Sequence, residues 1–310
     1  MPLVTLHSDE LVVNEVLVKA LVADQLPDHE GDEVRRVSAS GSSNALFRLG
    51  NELLVRLPRQ PGGSATILKE ARWLAYLGEA LPVAVPEIVS LGEPGHGYPE
   101  RWSIVRWIAG EPPTKATLTH ASQDQFARDL AGVLRALREL EVPPAGRDDT
   151  ELHWYRGGPL TAIDADIRAY AEQCRGIPDL DLDVDAVLRV WNAAMCEADT
   201  PSPVRHWLHG DLLAENLLIR DGRLAAVLDF GGLAVGDPTV DLVAAWELLN
   251  PDARELLRAE AGIDGRAWRL GRAWALAIAV MTFPYYWHTM PERCATRLAL
   301  AHQVLSDTSP

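Results

Sequence analysis

Apolar positions along this chain change period about a third of the way through, and the elements predicted change with them. From Ser8 to Leu26 they recur at helical spacing, with Ser8 and Asp9 able to cap the start and Pro27 ending the run. Val34 to Ser40 and Asn44 to Leu49 read as strands on either side of Ser40-Gly41-Ser42-Ser43, and Glu52 to Leu57 reads as a third. Alternate residues of a strand share a face, so Leu54 and Arg56 point the same way. Ser64 to Glu79 is helical, with Ser64 as its cap. Prolines then bracket an extended piece, and Trp102 to Ile108 is a nearly continuous apolar strand.

That strand runs out into Ala109-Gly110-Glu111-Pro112-Pro113, the composition of a hinge between domains. Beyond it the period is 3.6: Ser122 to Leu140, Pro159 to Cys174 and Val184 to Glu197 are predicted helices. Trp246, Trp268 and Trp274 fall at helical spacing and are expected in the core, and Pro284 is expected to kink an apolar helix. The pattern gives an α+β chain in two parts, 1–108 built on a sheet and 109–310 mostly helical.

One stretch departs from the helical pattern. Asn216 to Ile219 and Leu224 to Leu228 are short apolar strands joined at Asp221-Gly222, a strong hairpin signal. A hairpin brings its outer ends together, so Asn216 and Asp229 should lie side by side. Two oxygen ligands so placed suit Mg²⁺, which takes one or two protein side chains and completes its shell with substrate phosphates. Asp211, upstream in a polar loop, is then available to accept a proton from a substrate hydroxyl.

Composition narrows the classes. The chain has 310 residues, 29 Lys and Arg against 44 Asp and Glu, and a net charge of −15. That balance argues against nucleic acid or an anionic membrane as partner and is compatible with a cationic substrate. Ten acidic residues against three basic ones between Asp148 and Asp185 could form a negative wall, with Asp164 and Asp166 foremost. Cys174, Cys196 and Cys294 lack metal-ligand spacing and suggest a reducing compartment. No secretory signal is evident, and the apolar run Ala273 to Phe283 is too short to span a bilayer, so a cytoplasmic location is expected. His206 and His209 lack the further ligands of a zinc site; His209 is expected to anchor its loop through the backbone. Neither a P-loop nor a G-x-S-x-G elbow occurs.

The order His209-Gly210-Asp211-Leu212 to Asn216, then Asp229-Phe230-Gly231, matches the protein-kinase signature. With Gly210 where protein kinases carry Arg, and with Gly236-Asp237-Pro238-Thr239-Val240-Asp241-Leu242 following, the chain resembles the aminoglycoside phosphotransferase family of small-molecule kinases. The resemblance implies a protein-kinase-like, two-lobed fold with an antiparallel sheet lobe and a mostly helical lobe. It implies Asp211 as catalytic base, Asn216 and Asp229 as Mg²⁺ ligands, and ATP or GTP as phosphoryl donor. Ser40, Gly41 and Ser42 would form the nucleotide-positioning loop, and backbone groups of Arg106, Trp107 and Ile108 would meet the purine edge. Arg56 stands where kinases carry a lysine that contacts the donor phosphates and would pair with Glu70, with Arg59 as the competing candidate for that role. Asp241 would accept hydrogen bonds from the catalytic-loop backbone.

Gly210 leaves no partner for an activation-loop phosphate, so activity should need no phosphorylation. The aromatic group Phe283 to His288 would line an acceptor pocket or close the core. A cationic antibiotic of aminoglycoside, peptide or macrolide type is the expected acceptor. A choline, homoserine or sugar kinase, or a nucleotide-binding regulator without catalysis, are the alternatives.

Overall fold

Hydrophobic residues alternating along two strands set the first unit. In the computed structural model, described over residues 9–37, 43–198 and 205–307, the chain divides into residues 1–79 with 84–109, and residues 80–83 with 110–310. The first unit comprises α1 (Glu15–Gln25), β1 (Val34–Arg36), β2 (Asn44–Leu49), β3 (Leu53–Pro58), α2 (Ser64–Ala80), β4 (Ile88–Gly92) and β5 (Trp102–Arg106). The strands form one antiparallel sheet in the order β1-β2-β3-β5-β4. Phe47, Leu49, Val55, Leu57, Trp102 and Ile104 pack with Val18, Leu21 and Val22 of α1 in one buried cluster.

One predicted helix start and one predicted cap are corrected. α1 begins at Glu15 because Asn14 caps it, accepting from Leu17 N at 2.9 Å. The segment before it is extended, with Leu11 N donating to Arg59 O; Ser8 lies outside the described residues. At α2 the cap is a carboxylate from elsewhere in the fold: Glu100 accepts from Gly62 N and Ser64 N, each at 2.8 Å. A carboxylate suits a helix N-terminus better than a serine hydroxyl does.

The second unit holds α3 (His120–Glu139), α4 (Pro144–Arg147), α5 (Asp164–Arg175), α6 (Val184–Ala198), β6 (His206–Leu208), β7 (Leu217–Arg220), β8 (Arg223–Val227), β9 (Ala234–Gly236), α7 (Val243–Leu248), α8 (Pro251–Glu260), α9 (Gly265–Tyr286) and α10 (Pro291–Ser306). α9 runs through its core, packed by α5, α6, α7 and α10. Trp246, Trp268 and Trp274 are fully buried there. α9 continues past Pro284 to Tyr286. Proline has no N–H for the Val280 carbonyl, and Cys174 Sγ donates to that carbonyl instead, at 3.6 Å. Among the described residues no helix is long and apolar enough to cross a membrane.

Candidate active site

The segment between β6 and β7 carries the predicted catalytic residues, and the backbone at its start is tied to a buried carboxylate. His209 N donates to Asp241 Oδ2 and Gly210 N to Asp241 Oδ1, both at 2.7 Å. Asp241 is 1 % exposed. Burial pushes its carboxyl up to about 6, only partly offset by His209 and the two N–H donors. The His209 ring anchors the same loop. Its Nε2 lies 2.8 Å from Leu228 O, its Nδ1 accepts from Asp211 N at 3.2 Å, and it packs edge-on to Phe230. Gly210 has φ +81, and a Cβ there would lie 2.3 Å from Gly232 O and 2.7 Å from the Trp154 ring. No larger residue fits, which is the structural reason glycine precedes Asp211.

Asp211 and Asn216 are brought together. Asn216 Nδ2 donates to Asp211 O at 2.8 Å and to Asp211 Oδ2 at 3.1 Å. The other carboxylate oxygen, Oδ1, accepts from Arg156, whose Nη1 also donates to Gly210 O at 2.9 Å. Burial works against ionisation of Asp211, but Arg156, helped by His209 and Arg297, outweighs it and holds the carboxyl below the usual range. On the other side of the loop, Glu247 accepts from Ala214 N at 2.7 Å and is ion-paired with Arg297, whose Nη2 also reaches Glu215 at 3.4 Å. Glu215 goes the opposite way from Asp211: burial raises its carboxyl, and Arg297 and Arg293 only partly restrain it.

Asp221 and Gly222, both at positive φ, close the β7–β8 hairpin. Asp129 of α3 pins it, accepting from Arg223 at 2.7 and 2.8 Å and from Leu224 N at 3.2 Å. At the open end Leu228 N donates to Asn216 O at 2.7 Å, so Asp229 is the residue next in the chain to the one paired with Asn216. Asp229 is left-handed, φ 55, a conformation that Asp tolerates better than most residues, and its side chain accepts from Gly231 N at 3.4 Å. Because Asn216 turns its amide nitrogen to Asp211, its carbonyl oxygen remains for a cation. An amide oxygen and a carboxylate at one hairpin mouth are a donor set suited to Mg²⁺ whose remaining ligands are phosphate and water oxygens.

In the first unit Arg56 and Glu70 form a bidentate pair at 2.7 and 3.1 Å, 5 % and 0 % exposed. Two N–H groups of the segment expected at the purine edge are occupied, which leaves its carbonyls and the Ile108 N–H for that edge. Arg106 N donates to Glu87 O at 3.0 Å and Trp107 N to Glu52 O at 2.7 Å, so both N–H groups serve the sheet. Ser40, Gly41 and Ser42 lie outside the described residues.

Asp164 accepts from Arg168 at 2.9 Å and from Trp191 Nε1 at 2.7 Å, joining α5 to α6. Of the aromatic group, Phe283 is buried in the core whereas Tyr285 is 57 % exposed. Arg156 was not singled out from the sequence. Its signal is a lone arginine between aromatics and glycines, Trp154-Tyr155-Arg156-Gly157-Gly158, inside an otherwise acidic stretch.

A comparison with curated protein sequences finds no match. Solved structures do match. Wild-type aminoglycoside 2'-phosphotransferase-IIIa in its GDP complex is 20 % identical, with 95 % of this chain and 99 % of that one covered and a TM-score of 0.69. The streptomycin–ATP ternary complex of APH(2'')-IIa is 17 % identical, covering 94 % and 99 %, with a TM-score of 0.62. Macrolide 2'-phosphotransferase MphH from Brachybacterium faecium is 20 % identical, covering 95 % and 99 %, with a TM-score of 0.60. These likenesses establish the kinase-like fold. The family model for APH, described as the phosphotransferase enzyme family, matches residues 33–275. With more than half of its length matched, the chain belongs to the phosphotransferase enzyme family.

Proposed function

We propose that the enzyme transfers the γ-phosphoryl group of a purine nucleoside triphosphate, ATP or GTP, to a hydroxyl of a small molecule, with Mg²⁺ bound. The observation that carries this reading is the bonding of Asp211 to Asn216 at the hairpin mouth beside Asp229. The acceptor oxygen bonds to the γ-phosphorus while its proton passes to Asp211. The bond to the bridging oxygen breaks, and its electron pair leaves with the nucleoside diphosphate. Asn216 and Asp229 would hold Mg²⁺, which when bound neutralises charge on the phosphates. Arg56, oriented by Glu70, steadies the donor phosphates; the backbone of Ser40, Gly41 and Ser42 contributes N–H groups to them. Backbone groups of Arg106, Trp107 and Ile108 not used by the sheet meet the purine edge. Residues 1–108 thus serve the nucleotide, and residues 109–310 the metal and the acceptor.

An antibiotic is the acceptor class best supported. The similar structures carry aminoglycosides in their names or are macrolide phosphotransferases, and the net charge of −15 favours a cationic molecule. The enzyme acts in the cytoplasm and needs no activating phosphorylation. A screen of γ-labelled ATP and GTP against aminoglycosides, macrolides and basic peptide antibiotics, with choline, homoserine and simple sugars alongside, tests this. Label on an antibiotic is expected. Label on the metabolic hydroxyl compounds alone would overturn the antibiotic reading, and Mg-nucleotide binding without any transfer would favour a regulator.

A further inference from the structure

Between Asp211 and Asn216 stand Leu212, Leu213, Ala214 and Glu215, so the catalytic loop supplies no cation of its own. A guanidinium nonetheless lies against Asp211, brought from 55 residues upstream by a single 3-10 turn, Tyr155–Gly157. That turn is clamped on both sides. A Cβ at Gly210 or Gly232 would come within 2.7 or 2.6 Å of the Trp154 indole, so the indole fills the space those glycines leave. A Cβ at Gly236 would lie 2.0 Å from Gly157 O, and Asp237 N donates to that same carbonyl at 2.9 Å. The guanidinium itself sits 4.8 Å from the Trp154 ring centroid and 5.6 Å from that of Tyr155, with Nε donating to the Tyr155 hydroxyl at 2.9 Å. Its side chain is 15 % exposed. A surface ion pair is rarely held by so many fixed partners.

We propose that Arg156 is a positioning residue for phosphoryl transfer: it holds one oxygen of Asp211 while Asn216 holds the other, fixing the carboxylate in the orientation that meets the acceptor hydroxyl. This rests on the reading of Asp211 as the base. Arg156 exchanges no proton in the step and remains a guanidinium throughout. The arrangement separates two tasks. Asn216 faces both the cation site and Asp211, whereas Arg156 faces Asp211 and the Gly210 carbonyl. Loss of Arg156 should therefore slow transfer without weakening the nucleotide.

Because water can replace the acceptor, the test needs no acceptor identity: phosphate release from Mg-ATP and Mg-GTP by the full chain. Arg156→Ala is expected to lose about 10²-fold in kcat, the usual consequence of misplacing a reacting group. Its KM for nucleotide should stay within about twofold of wild type. Free guanidinium should restore turnover to Arg156→Ala and not to Asp211→Ala. Wild-type or faster turnover in Arg156→Ala would overturn the proposal, the faster rate marking Arg156 as a plug over Asp211. A loss residing in KM, or no rescue, would also overturn it. Should Arg156→Ala fail to fold, Arg156→Lys carries the test: several-fold slower turnover is expected, and an unchanged kcat refutes the role. A wild type idle both here and with every acceptor of the screen would bring down the phosphotransfer reading itself, whereas an active wild type with an indifferent Arg156 brings down this inference alone.

Discussion

The carboxamide of Asn216 donates to Asp211 twice, once to its main-chain carbonyl at 2.8 Å and once to its carboxylate at 3.1 Å. The proposed metal ligand and the proposed base are therefore mechanically one unit. Asn216→Ala removes a cation ligand and one of the two supports of the Asp211 carboxylate together. It should weaken Mg-nucleotide binding and lower kcat, whereas Asp229→Ala should act mainly on binding. Calorimetry combined with steady-state kinetics separates them, and identical effects from the two variants would contradict the coupling.

Asp241 gives a pH dependence with opposite signs for stability and activity. Its carboxyl titrates at about 6 in the fold against an ordinary 3.8, so between those values the folded chain holds a proton that the unfolded chain has lost. Ionised Asp241 thus costs stability above pH 6, and that cost disappears as pH falls towards 4. Activity moves the other way. A protonated carboxyl accepts more weakly from His209 N and Gly210 N, and the loop loosens. The acid limb of kcat is expected near pH 6 without a parallel loss of stability. That limb should flatten in Asp241→Asn; an unchanged limb would assign it to another group.

Arg56 and Glu70 test a nucleotide role against a structural one. Arg56→Met removes the guanidinium that is paired bidentately with a fully buried carboxylate and should cost about 3–5 kcal/mol of stability. Replacing both, Arg56→Met with Glu70→Leu, should recover most of that by urea denaturation. If Arg56 steadies the donor phosphates, nucleotide affinity stays reduced in the stable double variant. Wild-type affinity there would leave the pair a purely structural role.

Legibility in the sequence followed the range of the interactions. The β7–β8 hairpin is written locally in Asp221-Gly222, and the Arg56–Glu70 pair follows from a strand face and the helix that comes after it. The glycine before Asp211 could be noticed as a departure from protein kinases, but its cause, the Gly232 carbonyl and the Trp154 ring, is not local. Arg156 was hidden for the same reason: its partner is 55 residues away, and the acidic residues around it suggested a wall. Charge alone does not disclose that Trp191 and Arg168 bond to the Asp164 oxygens. The backbone N–H groups of Arg106 and Trp107 are taken by pairing with Glu87 and Glu52, which no side-chain pattern records.

Arg297 and Glu247, 3 % and 4 % exposed on their side chains, brace the catalytic loop from behind through Ala214 N. Arg297→Met would strand Glu247 and part of the support of Glu215, and should destabilise the chain by about 3–5 kcal/mol. Thermal and urea denaturation measure this. A change below about 1 kcal/mol, the scale of an exposed pair, would mean that the brace is solvated.

The central claim is that Asp211 accepts the acceptor's proton while Asn216 and Asp229 hold the metal, and Asp211→Asn tests it most directly. Mg-nucleotide affinity by calorimetry and phosphoryl transfer from γ-labelled nucleotide are measured on the same preparation. The predicted result is affinity close to wild type with kcat lowered by roughly 10²–10⁴-fold. Transfer near the wild-type rate with affinity unchanged would contradict it.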